Sequence, residues 1–152
     1  MIRKWMVFTL SAGLLITVGA GVKLSQADDE ESELGKVMEK VQKENAAIVK
    51  GIRNVANFKR YQKDVEKSAK ELVKLAKKAK PMKDALKNAK DEKDPQKKWN
   101  EIMDDLVKNG EKFEKVVAKP ETTVQQAKAS YKAVSKSCSD CHTVFRVDEE
   151  SF

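Results

Sequence analysis

The sequence predicts an all-α fold, an up-down-up-down antiparallel four-helix bundle. Three observations lead there. Beyond residue 28, apolar residues recur at mixed steps of three and four, the spacing of helices that bury one face. Strand-like alternation is absent, and beyond Gly35 only Gly51, Gly110 and three prolines interrupt the pattern. The connections are short, which makes successive helices antiparallel neighbours.

The chain of 152 residues is sized for one domain. Residues 1–27 stand apart from it on composition: Arg3 and Lys4 precede the apolar run Met6 to Val22, and the small residues Ser25 and Ala27 precede an acidic stretch. This is the pattern of a secretory signal cleaved before Asp28, which leaves 28–152 as the mature domain. If the segment is retained, its apolar run serves as a membrane anchor. The expected location is therefore periplasmic or otherwise exported. Removal takes away Arg3, Lys4 and Lys23 and no acid, so the formal charge falls from +7 to +4.

The first helix carries the stripe Leu34, Val37/Met38, Val41, Ile48, Ile52. It is expected to stop at Asn54, with Asn57 capping the second. The second stripe runs Phe58, Tyr61, Val65, Leu72, Leu75/Ala76, Ala79, and Pro81 closes it. Residues 82–94 either extend this helix or form a short one of their own. Asp94 and Pro95 read as N-cap and first residue of the third helix, whose stripe is Trp99, Ile102/Met103, Leu106, Phe113, Val116/Val117. Pro120 is expected to start the fourth, with Glu121 in its first turn. The fourth stripe is the most regular: Val124, Ala127, Tyr131, Val134, Cys138, Cys141, Phe145.

A lysine-rich composition suits an acidic partner or a membrane surface, but lysine is interleaved with Asp and Glu along the chain, which reads instead as solvated helix faces. No basic patch with interleaved aromatics and no Gly-rich phosphate loop appears, so neither nucleic acid nor nucleotide is indicated. No convergent acid and base groups suggest an enzyme.

The chemistry concentrates in "KSCSDCHTVFR", 136–146, which holds both cysteines and the only histidine. A thioredoxin-like pair belongs at a helix N-terminus, where the dipole lowers a thiol pKa; this pair lies at a C-terminus. Structural zinc needs four ligands, and two Cys and one His are present, with Asp140 directed away from the seam. A disulfide three residues apart on one helix is strained and closes too small a loop to stabilise much. Cys-x-x-Cys-His is the attachment signature of a c-type haem, in which Cys138 and Cys141 form thioethers and His142 reaches the iron. Up-down-up-down topology brings residues 34–41, 72–82 and 95–103 around Cys138–His142.

The stretch Cys138–Arg146 near the C-terminus, together with the four-helix pattern, resembles the class II c-type cytochromes, the cytochrome c-prime family and its low-spin relatives. The resemblance implies a single haem c and single-electron carriage between redox partner proteins. It implies His142 as proximal ligand and a distal residue early on the first helix, where Met38 stands; the competing role for Met38 is simple packing. In the five-coordinate members an apolar side chain blocks that position and small gases such as nitric oxide and carbon monoxide bind. Met103, on the Trp99 stripe, is expected to pack on the macrocycle, and Met82 lies at the same end. Trp99 and Phe145 are expected to line the haem. Arg146, one turn after His142, resembles a basic residue near haem and ligand; its other role is a favourable charge at the helix end. Many members carry Arg four residues before the distal position; here Leu34 occupies it, with Lys36 nearby. Members are often homodimers through the first two helices, for which these stripes supply no second apolar face.

Overall fold

The computed structural model describes residues 32–146. The expected secretory segment, residues 1–27, and its expected cleavage site lie outside them. Among the described residues there are four α-helices: α1 (Glu33–Gly51), α2 (Val55–Ala79), α3 (Pro95–Val117) and α4 (Val124–Phe145). A short 3₁₀ turn, Asp84–Asn88, sits between α2 and α3. None of these helices is long and apolar enough to cross a membrane.

The predicted stripes form the core. Leu34, Val37 and Ile48 from α1 meet Phe58, Val65 and Leu72 from α2, Trp99, Met103 and Phe113 from α3, and Val124, Val134 and Phe145 from α4. Contacts between neighbours fix the directions. Lys80 pairs with Asp104 and Lys77 with Glu111, so α2 and α3 run opposite ways. Trp99 meets Phe145 and Phe113 meets Tyr131, so α3 and α4 do the same. Tyr131 donates to Asn45, and Lys128 to the Arg53 carbonyl, which sets α4 antiparallel to α1. The backbones of α1 and α2, of α2 and α3, and of α3 and α4 pack closely; the α1–α4 seam is the loosest of the four.

Helix ends follow local chemistry, with two differences from the sequence reading. Asp94 caps α3 through the Lys97 N–H at 3.0 Å, with Pro95 first in the helix, as expected. Asn54 is the N-cap of α2 and not the terminator of α1: its side chain accepts from the Asn57 N–H at 2.8 Å, while Asn57 donates to the Lys50 carbonyl at 3.0 Å. Two asparagines three apart at one break are thereby both used, one for each helix. Pro120 and Glu121 precede α4 rather than opening it. Thr123 caps that helix in a reciprocal box with Gln126, which satisfies two otherwise orphaned N–H groups and outweighs the preference of proline for a first turn. Of the two alternatives for 82–94 the second holds, in 3₁₀ form: Asp84–Asn88 is a short helix of its own, followed by a loop in which Asp91 takes φ 51°, a conformation that Asp tolerates better than most residues.

At the opposite end of the bundle α1 and α2 approach so closely that a Cβ on Gly51 would lie 2.2 Å from Val65 Cγ2. Gly51→Ala is therefore expected to destabilise the fold by about 1–3 kcal/mol through overpacking. Urea denaturation measures this, and adding Val65→Ala should recover part of the loss.

Candidate functional site

The last turns of α4 carry the site. At 100° per residue, Cys138, Cys141, His142 and Phe145 fall within an arc of about 100°. Phe145 is buried, the two cysteines are half-buried against the core, and His142 is exposed. Both thiols are free. Burial pushes the Cys138 thiol up, and it raises Cys141 to about 11, with the neighbouring Cys138 adding to the shift. This is the opposite of the low-pKa thiolate that disulfide exchange uses. Asp140 is held by Lys136 at 2.6 Å on the solvent side. Among the described residues no group of three or more His, Cys, Asp or Glu side chains converges on one point.

The α4 end is braced by α3 and by the connection before it. Trp99, 1% exposed, meets Phe145 edge to face with ring centroids 5.2 Å apart. Its indole N–H donates to the Lys80 carbonyl at 2.9 Å, which ties α3 to the end of α2. Met103 is fully buried beside this cluster. Lys90 N–H donates to the Val144 carbonyl at 2.9 Å, so the loop after the 3₁₀ turn satisfies one of the orphan carbonyls that end α4.

Across the loose α1–α4 seam, at this same end, a cavity of about 380 Å³ opens. Its lining includes Leu34, Gly35 and Met38 from the first turns of α1, Ala85 and Asn88 from the 3₁₀ turn, and Phe145 from α4. Met38 is half-buried and packs against the core. The structure thus brings Met38, Phe145 and Trp99 to one end with Cys138, Cys141 and His142, while the two thiols and His142 stand outside the lining of the cavity itself. Met82 is half-buried against the core at the start of the connection.

Arg146 is the C-cap of α4: its N–H makes the last helical bond, to the His142 carbonyl one turn back at 3.2 Å, and its ψ of 130° ends the helix there. Its side chain is exposed. The 3₁₀ turn, which carried no site expectation, supplies one wall of the cavity. Its apolar members Ala85 and Leu86 are too few to form a periodic signal; their packing on the core and the bond from Lys90 to α4 fix its place. Lys36, the basic residue nearest Leu34, is exposed and pairs with Glu33 at 3.5 Å.

The residues at this end that suit a haem carried by α4 are two core-side thiols three apart, an adjacent exposed imidazole, and a cavity across the seam in which Leu34, Met38, Ala85 and Phe145 form an apolar part and Ser32, Asp84, Lys87 and Asn88 a polar one. Comparison of the chain with family models, with curated proteins and with solved structures finds no match.

Proposed function

We propose that this protein is an exported c-type cytochrome of the class II bundle kind, holding one haem c and carrying single electrons between redox proteins. The observation that carries the reading is the placement of Cys-x-x-Cys-His on the last turns of α4, at the end of the bundle where the α1–α4 seam opens toward Met38. Cys138 and Cys141 would hold the group through thioethers, His142 would be its proximal ligand and Met38 its distal one. When bound, haem supplies reversible one-electron cycling of its iron between ferric and ferrous states.

The chain's own residues shape that chemistry. Trp99, Met103 and Phe145, all buried, keep the core behind this end of α4 dry and low in dielectric. The Lys80 carbonyl and the Lys90 N–H pin α3 and α4, so that the ligand-bearing turn stays in place as the charge changes. A thioether from Met38 favours ferrous iron and raises the potential relative to a second imidazole.

Absorption spectroscopy of the loaded wild type and of Met38→Ala tests the axial assignment. The wild type is expected to be low-spin in both oxidation states, with the far-red band of Met-to-ferric-iron coordination; the variant is expected to lose that band and turn high-spin. A wild type already high-spin, with a spectrum that shifts on adding carbon monoxide, would instead make this a gas-binding protein in which Met38 only packs.

A further inference from the structure

Lysines interleaved with acids in the sequence do not stay interleaved on α2. At 100° per residue, Lys59, Lys63, Lys67, Lys70, Lys74 and Lys78 follow one another at steps of four, four, three, four and four, and Arg60 and Lys77 fall inside the same stripe. The stripe is about 100° wide and runs roughly 28 Å along the helix. All eight side chains are exposed. The acids of α2 fall on its margins: Asp64 and Glu71 on one side and Glu66 on the other. Of these eight, Lys74, with Glu71 at 3.4 Å, and Lys77, with Glu111 at 2.7 Å, are the ones ion-paired among the described residues.

Such an array costs the isolated helix, because like charges three and four apart repel. The face also lacks what a protein-binding surface uses. Interfaces are depleted in lysine and anchored by Trp, Tyr and Arg in central pockets; this stripe has seven lysines, one arginine and no exposed apolar side chain. Stacking aromatics for a single-stranded nucleic acid are missing as well. What remains is a straight row of long, flexible ammonium groups, each able to settle on its own anion. A flat field of mobile negative headgroups matches it in sign and shape.

We propose that the α2 stripe is a peripheral docking surface for an anionic lipid bilayer. Because α2 packs between α1 and α3, its exposed face looks away from α4. Docking through it leaves the Cys138–His142 end of α4 open to the aqueous phase. This inference rests on α2 alone and stands whether or not haem is bound.

The test is partitioning of the full chain into vesicles of phosphatidylcholine alone and of phosphatidylcholine with 30% phosphatidylglycerol, taken as a starting ratio of roughly the charge density of anionic leaflets. The quantity read is the ratio of the two partition coefficients, which removes any contribution of residues 1–27 that does not depend on lipid charge. Each lysine near such a surface raises binding by up to about fivefold. The quadruple variant K63Q/K67Q/K70Q/K74Q is therefore expected to lower the ratio at least tenfold, and high salt should do the same to the wild type. The control K108Q/K112Q/K115Q/K119Q removes the same charge from exposed positions on α3 and its end, and should keep most of the preference. Equal losses in the two quadruple variants, or a wild-type ratio near one, would overturn the proposal. So would stripe-dependent binding of poly-glutamate without any vesicle preference, which would reassign the face to an acidic protein. Far-UV circular dichroism of both variants confirms that the helices are intact.

Discussion

Trp99→Ala is expected to cost the bundle about 3–5 kcal/mol. The side chain is 1% exposed, fills the space between α3 and Phe145 of α4, and donates its N–H to the Lys80 carbonyl. Its removal leaves a large apolar cavity and an aromatic contact broken at the end of the molecule where three helices and the connection meet. The hydrogen bond contributes a smaller share, roughly 0.5–1.5 kcal/mol. Trp99→Phe keeps much of the ring volume and should lose about 1–2 kcal/mol, chiefly that bond and a little packing. Urea denaturation followed by far-UV circular dichroism separates the two variants. A loss below about 1 kcal/mol for the alanine variant would mean that this end is held by something other than the indole.

The second large effect concerns attachment rather than stability. Replacing Cys138 and Cys141 together by serine should abolish covalently bound haem while leaving the helices formed. Both positions are only half-buried, and a serine hydroxyl there can bond the carbonyl one turn back, as Ser137 already does to Ala133 at 3.2 Å. Either single variant retains one thiol and should keep part of the haem. Haem staining after denaturing electrophoresis reads this out, and undiminished staining in the double variant would rule out these thiols as the link.

The helices were legible because four stripes keep a three-and-four rhythm that no strand would satisfy, and because Asp94-Pro95 announces a helix start by itself. The seam position of Cys138 and Cys141 was legible for the same reason, since they extend a run of evenly stepped apolar residues. Three things were not. Asn54 and Asn57 compete for one cap, and local sequence does not say which helix each serves; the Lys50 carbonyl decides it. Pro120 advertised a helix start more loudly than Thr123, although Thr123 and Gln126 stand at the spacing of a capping box. The 3₁₀ turn and the loop to Lys90 draw their position from packing on the core and a tertiary bond to Val144, which leave no periodic trace. The lysine stripe of α2 was hidden in the opposite way: read along the chain, acids separate its members, and only the helical wheel sorts the two signs apart.

Haem attachment to α4 through Cys138 and Cys141 is the proposal on which the rest depends. Its most direct test is the intact mass of the denatured protein, expressed with its own N-terminal segment in a bacterial host competent for periplasmic haem attachment. The expected product is a chain heavier by one haem, with the added mass mapped by tryptic digestion to the peptide from Ser137 to Arg146. A chain at its bare polypeptide mass, with both thiols free to alkylate, would contradict it.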